Sequence, residues 1–234
     1  MSIQKKLGQN FLKSDSIAKF IVSNSRISKN DIVYEIGPGK GILIPHLCRI
    51  AKKVISVEKD HKLFNFVKSK FSEINNLQLI HGDGFKQKEK IDFFISNLPY
   101  SESKNAIQWM LRQKFSHATL MLQDDFVEKL LSEGRERRAI SVLAQSGFEI
   151  NIVKRIGKHN FSPEPKINSL IVTFDRKTTI SKELIQSVNL IFSLRRKKVQ
   201  NIAKKFGLEI ESNMRLEEMK NDEIIKFAKK ITKI

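Results

Sequence analysis

Residues 31–41 read DIVYEIGPGKG: an apolar run from Asp31 to Ile36 with the character of a buried strand, broken at once by glycines at alternate positions, Gly37, Gly39 and Gly41. Glycines directly after a strand let the backbone turn tightly and let a ligand lie against the chain without interference from a Cβ. Outward from this turn, the pattern predicts a helix from about Ile42 to Ala51, a strand at Val54–Val57, a helix from about His61 to Phe71 and a strand at Leu77–His81. A fourth strand is expected at 91–96, a helix at 104–112, a fifth strand at 117–122 and one or two helices over 124–146. Two further strands, at Gly147–Val153 and Ser169–Phe174, are separated by a proline-containing loop and read as a hairpin. Alternation of strand and helix predicts a doubly wound α/β sheet that ends in a C-terminal antiparallel hairpin.

The flanks read differently. A basic leader precedes a helix expected at 14–25, capped by Ser14 or Asp15 with Ile17, Phe20 and Ile21 on one face. From about residue 180 the pattern is helical only, with Ile185, Val188, Ile191 and Phe192, then Val199, Ile202, Ala203 and Phe206, and finally Ile224, Ile225, Phe227, Ala228 and Ile231 at helical spacing. The expected division is therefore a catalytic domain over 1–178 and a small all-helical domain over 179–234.

Composition narrows the class. With 234 residues, 40% of them hydrophobic, the chain can fill a core. No apolar stretch reaches the roughly 18 residues of a membrane span, and the polar start MSIQKKLGQN has no apolar segment of a secretion signal, so a cytoplasmic protein is expected. The single cysteine, Cys48, excludes an internal disulfide, and the five histidines show no zinc-ligand spacing, so no metal is expected. The 43 Lys and Arg against 25 Asp and Glu leave a formal charge of +18, a surplus suited to a polyanionic partner. Residues 177–234 carry 14 basic and 7 acidic side chains, and Arg195, Arg196, Lys197 and Lys198 form their densest cluster. Nucleic acid is the expected partner and these four residues are its expected contacts.

The glycine turn identifies a ligand by its spacing. A dinucleotide site wants G-x-G-x-x-G, whereas Glu35-Ile-Gly37-Pro-Gly39-Lys-Gly41 is G-x-G-x-G preceded by an acid, which resembles the first motif of S-adenosylmethionine (SAM) methyltransferases. Glu58, at the end of the second strand, is positioned to accept hydrogen bonds from both ribose hydroxyls of an adenosine. Asp83, after the third strand, is positioned to accept from the adenine amine, with Phe85 near the ring.

The fourth strand ends in Asn97-Leu98-Pro99-Tyr100. An exocyclic base amine is a poor nucleophile because its lone pair is delocalised into the ring. An amide oxygen from Asn97 and the Leu98 carbonyl, both accepting amine hydrogens, favour a pyramidal nitrogen with its lone pair directed at the sulfonium methyl. Pro99 fixes the bend, and Tyr100 offers a face on which the base stacks. No strong general base is needed, so positioning and electrostatics carry the step. Phe161, in the loop before the last strand, is the candidate for a second stacking ring.

Taken in order, these segments resemble the KsgA-type small-subunit ribosomal RNA adenine dimethyltransferases, relatives of the Erm macrolide-resistance enzymes. Leu7-Gly-Gln-Asn-Phe-Leu12 is similar to the family's opening motif, and Glu35–Gly41, Glu58, Gly82-Asp83 and Asn97–Tyr100 follow. Arg138–Gln145, Phe161–Ser169 and Phe192–Lys197 complete the match. The resemblance implies a Rossmann-like methyltransferase sheet, SAM contacts at Asn10, Leu12, Gly37, Glu58, Asp83 and Asn97, and transfer of four methyl groups to the N6 amines of two adjacent adenosines near the 3′ end of small-subunit rRNA. It implies a role in ribosome biogenesis, with rRNA or a precursor small subunit as partner and a monomer as the default state. Two alternatives share the scaffold: Erm-like methylation of large-subunit rRNA, and a non-catalytic ribosome-assembly or transcription factor. The chain departs from the family at Ser101-Glu-Ser-Lys104, where the family commonly has Asn-Ile-Ser-Ser, and at Gln123-Asp124-Asp125, which lacks the usual basic residue.

Overall fold

The computed structural model describes residues 10–232, so Leu7, Gly8 and Gln9 of the opening motif lie outside the described residues. In chain order the elements are β1 (Phe11–Leu12), α1 (Asp15–Ser23), β2 (Ile32–Ile36), α2 (Ile44–Ile50), β3 (Lys53–Glu58), α3 (His61–Lys70), β4 (Leu77–His81), β5 (Phe93–Ser96) and α4 (Ser103–Arg112). They continue with β6 (His117–Gln123), α5 (Asp124–Leu131), α6 (Ala139–Gly147), β7 (Phe148–Ile156), β8 (Phe161–Ser162), β9 (Ser169–Arg176), α7 (Lys182–Ser193), α8 (Val199–Lys204) and α9 (Asn221–Thr232).

Seven of the strands form one sheet in the order β4-β3-β2-β5-β6-β9-β7. The neighbours β4, β3, β2, β5 and β6 run parallel, and β9 joins β6 antiparallel, with Ala118 opposite Phe174 and Leu122 opposite Leu170. The expected α/β sheet is therefore the fold, with β9 and β7, the two strands read as a hairpin, side by side at its end. Central strands are covered on both faces, which is why β2 and β6 read as continuous apolar runs rather than alternating ones. The edge strand β7 leaves Ile152 half exposed and carries Lys154 and Arg155, charges that discourage pairing with another chain.

The strand order reverses between β2 and β5: from β2 the chain moves outward through β3 and β4, then returns to β5 on the other side. Their carboxyl ends splay there and leave a crevice, the place where open α/β sheets bind ligands. Ser96 ties the ends of the two strands together by donating from its buried hydroxyl to the Ile36 carbonyl at 2.5 Å. Side-chain caps start the flanking helices as their sequences suggest: Ser14 accepts from the Ile17 N–H, and Asp60 from those of Lys62 and Leu63.

A second, smaller pairing was not expected from periodicity. β1 pairs antiparallel with β8, Phe11 opposite Ser162 and Leu12 opposite Phe161, so the residues before the first helix are tied to the loop before the last strand. Each partner is two residues long, too short for a strand pattern to register.

The chain divides into two compact units. The first contains the residues up to Ala106, Lys114–Asp124 and Ile150–Asp175, with a core built from Val33, Leu47, Val54, Ile95, Met121 and Ile171. The second gathers Ile107–Gln113, Asp125–Glu149 and the chain from Arg176 onward, so the three C-terminal helices share a unit with segments from the middle of the sequence. Within it Asn221 donates to Gln145 at 2.8 Å, and the Arg176 guanidinium stacks 4.3 Å from the Phe148 ring centre. No helix of the described residues is long and apolar enough to cross a membrane.

Candidate active site

Two adjoining cavities occupy the crevice. The larger, about 750 Å³, is lined by Gly37, Glu58, Asp60, Asp83, Phe85 and Leu98 among others, and lies within the range that holds nucleoside-sized ligands. The smaller, about 60 Å³, is lined by Asn10, Phe11, Leu12, Glu35, Gly39, Lys40 and Asn97. Gly37, Glu58 and Pro99 form walls of both.

Glu58 organises the turn as well as facing the cavity. Its Oε2 accepts from the Gly39 N–H at 3.1 Å and its Oε1 from the Asp60 N–H at 2.8 Å, leaving each oxygen a further lone pair for a diol. Burial raises its pKa, against the lowering effect of those two amide donors. Asp83 caps the turn that follows it: its Oδ1 accepts from the Phe85 N–H at 3.0 Å, and its Oδ2 stands 4.0 Å from the Lys86 ammonium. The buried Tyr34 hydroxyl donates to the Gly84 carbonyl at 2.7 Å and so ties the Asp83 loop to β2. Burial, the largest cause, raises the Tyr34 pKa and keeps the phenol a donor.

Gly41, an expected cofactor contact, lines neither cavity. Its φ is +77°, and a Cβ there would lie 2.3 Å from the Phe71 ring, so its role is to pack the turn against the end of α3. Gly41→Ala is expected to destabilise the fold by about 2–4 kcal/mol, the left-handed backbone cost plus overpacking. Gly207→Ala, at φ +64° with nothing within 4 Å, carries only the first part, about 1–2 kcal/mol. Denaturant unfolding of the two variants side by side checks the difference; equal losses would remove the packing role.

Asn97 ends β5 beside the glycine turn. Its side-chain oxygen is buried and has no hydrogen-bond partner among the described residues, an arrangement that costs about 1–3 kcal/mol unless a donor arrives. Such an orphan in the wall of the smaller cavity fits a ligand with N–H groups. Leu98 is buried, Pro99 walls both cavities, and Tyr100 is half-buried with its hydroxyl 2.7 Å from Ser169 Oγ. Burial raises the Tyr100 pKa, so its ring stands as a neutral phenol.

Phe161 corrects an expectation. It is 1% exposed and belongs to the core, because its pairing in β8 with Leu12 turns its side chain inward. It meets Tyr100 edge-on, ring centres 6.4 Å apart, and so backs the tyrosine instead of offering a second open face. Phe11 and Lys40 are further wall residues that motif reading passed over. The Lys40 ammonium sits 5.2 Å from the Phe11 ring centre, and a Cβ on Gly39 would come within 3.0 Å of that ring. Both stand inside the recognised motifs, Phe11 in 7–12 and Lys40 in 35–41, whose chemistry assigns them no role.

The departure at Ser101–Lys104 also borders the larger cavity. Glu102 lines it and accepts from the Asn105 amide at 2.7 Å, which orients its carboxylate along the rim. Asp124 is paired with Arg155. Arg195, Arg196, Lys197 and Lys198 are all exposed and lie in the second unit.

A switch-point crevice with a glycine turn, paired acids and an orphan amide acceptor at the end of the fourth parallel strand defines a methyltransferase of the α/β class. The chain belongs to the ribosomal RNA adenine dimethylase family, whose model matches residues 1–233. It is 33% identical over 226 residues to ribosomal RNA small subunit methyltransferase A of Clostridium botulinum (strain Langeland), covering 89% of this chain and 82% of that protein. It is 30% identical over 225 residues to the protein of the same name from Clostridium acetobutylicum, covering 89% and 81%. Among solved structures, a dimethyladenosine transferase from Plasmodium falciparum superposes with a TM-score of 0.81 at 24% identity, covering 95% of this chain and 98% of that one. The 23S rRNA methyltransferase ErmE superposes at 0.68 and 22% identity, covering 95% and 99%. At these identities the two structures bear on the fold alone.

Proposed function

We propose that this chain methylates the N6 amines of two adjacent adenosines near the 3′ end of small-subunit rRNA, using SAM, in the course of ribosome biogenesis. The single observation that carries this reading is the buried Asn97 oxygen in the wall of the smaller cavity, which has no hydrogen-bond partner among the described residues. It has the chemistry to accept one hydrogen of the target amine while the Leu98 carbonyl accepts the other.

Glu58 would hold the ribose of SAM, Asp83 and Phe85 its adenine, and Asn10, Leu12, Gly37 and Gly39 its amino-acid end. When bound, SAM supplies a methyl group on a sulfonium, an already activated leaving group. The protein's own part is to orient the amine, exclude water and stack the base; the amine proton leaves to solvent after transfer. Extruding a base costs a few kcal/mol. One ring returns about 1–3 kcal/mol, so Tyr100, braced by Phe161 and Ser169, offsets much of that cost alone. The segment 179–234, with Arg195, Arg196, Lys197 and Lys198, would hold the RNA, with the protein acting as a monomer in the cytoplasm.

Small subunits lacking the modification, incubated with the protein and SAM, are expected to gain dimethyladenosine at two adjacent positions, read by mass spectrometry of rRNA fragments. Label on large-subunit rRNA instead would favour the Erm-like activity. Absence of product with every assembly intermediate would leave a binding factor.

A further inference from the structure

The smaller cavity has two buried acids in its wall, Glu35 and Glu58, and among the described residues that line it Lys40 is the single cation. We infer that Lys40 recognises the α-carboxylate of SAM and so fixes the amino-acid end of the cofactor in this cavity, an inference that rests on the SAM reading proposed above.

Three observations converge on Lys40. First, its ammonium stands 5.2 Å from the centre of the Phe11 ring, and Phe11 is itself a wall of the cavity. A ring face attracts an ammonium without neutralising it. Among the described residues Lys40 forms no ion pair, so its charge is available to an anion.

Second, that ring is fixed from two sides. Phe11 is paired with Ser162 across β1 and β8, and two positions on the Lys13 N–H donates to the Asn160 carbonyl at 2.8 Å. Against the glycine turn the fit is close, since a Cβ on Gly39 would come within 3.0 Å of the ring. The perch for the ammonium therefore exists before a ligand arrives, which lowers the cost of ordering the lysine.

Third, the backbone of the turn offers a carboxylate little else. The Gly37 N–H donates to the Val57 carbonyl at 2.8 Å, that of Gly39 to Glu58 at 3.1 Å and that of Gly41 to the Pro38 carbonyl at 2.8 Å. All three glycine amides are committed. Glu35 and Glu58 suit the ammonium and sulfonium of SAM, yet they repel its carboxylate, and Lys40 supplies the opposite charge on the same wall.

The test compares SAM with decarboxylated SAM, which lacks only that carboxylate, by calorimetric titration of native protein and of Lys40→Gln at one pH. Lys40 is exposed, so the substitution leaves the core untouched. It is expected to weaken SAM about ten-fold, the scale of one hydrogen bond to a charged group, and to leave decarboxylated SAM bound at least as tightly as before. Lys59→Gln, at an exposed lysine lining the larger cavity, is expected to alter the ratio of the two affinities by less than about two-fold. Equal losses of both ligands in Lys40→Gln would mean that the lysine merely packs on Phe11. An equal change of ratio in Lys59→Gln would mean a general positive field, and either result overturns the inference. Native protein that bound neither ligand would overturn the SAM reading itself, whereas native binding of SAM that ignores Lys40 removes this inference alone.

Discussion

Asn97→Ala is expected to lower kcat for adenosine methylation by on the order of 10²–10³-fold, with RNA affinity unchanged within a factor of two. The magnitude follows from removing one preorganised hydrogen-bonding group aimed at the reacting atom in a site closed to water. In the native protein the Asn97 oxygen is buried without a partner. The folded chain therefore already bears the cost of desolvating an acceptor that a target amine would use. Deleting the side chain removes that cost, so the variant is expected to melt no lower than the native protein, by contrast with an ordinary core truncation. Single-turnover methylation with bound RNA separates the chemical step from docking. If kcat fell less than ten-fold, or if RNA affinity fell with it, Asn97 would be a strand-end residue and not the amine acceptor. Asn97→Asp sharpens the comparison: it keeps an acceptor and adds charge, and is expected to retain more activity than alanine.

Much of this site is legible in the chain because its determinants are local. Gly37, Gly39, Glu58, Asp83 and Asn97 each sit at or within three residues of a strand end, and a doubly wound sheet carries its strand ends to one crevice. What sequence could not supply is pairwise and distant. The burial of Phe161 depends on a pairing with Leu12 across the length of the first unit, and the two-residue strands that make it carry no periodic signal. Gly41 sits in the right motif, yet its function is decided by the Phe71 ring thirty positions on. In the second unit Arg195 likewise meets the Arg137 carbonyl over 58 positions of sequence, and nothing in either local run announces the other.

Glu35→Gln is expected to abolish a fall in stability of the unliganded protein between pH 5 and 9. Glu35 is buried in the glycine-turn strand beside the smaller cavity, and its pKa rises from 4.5 to about 8, first because burial desolvates the carboxylate and further because Glu58 lies nearby. The bond from Ser56 Oγ, at 2.8 Å, opposes that rise without cancelling it. Between about pH 4.5 and pH 8 the folded chain keeps a proton that the unfolded chain has released. Stability from this group is therefore full below pH 4.5 and is lost as pH rises through about 8. The loss amounts to on the order of 4–5 kcal/mol if the whole shift is expressed. Glutamine keeps a partner for Ser56 and cannot ionise, so the difference in unfolding free energy between variant and native protein should grow in the variant's favour from pH 5 to pH 9. Parallel pH curves for the two proteins would show that Glu35 is not held protonated. Binding of a cation in the smaller cavity reverses the preference, because a positive charge beside the carboxylate favours its ionised form. SAM, with its sulfonium and ammonium groups, is therefore expected to bind native protein more tightly as pH rises toward 8, releasing a proton as it does so. Calorimetry in buffers of different ionisation enthalpy reads that proton directly, and Glu35→Gln should eliminate it while weakening SAM more than the less positively charged product, S-adenosylhomocysteine.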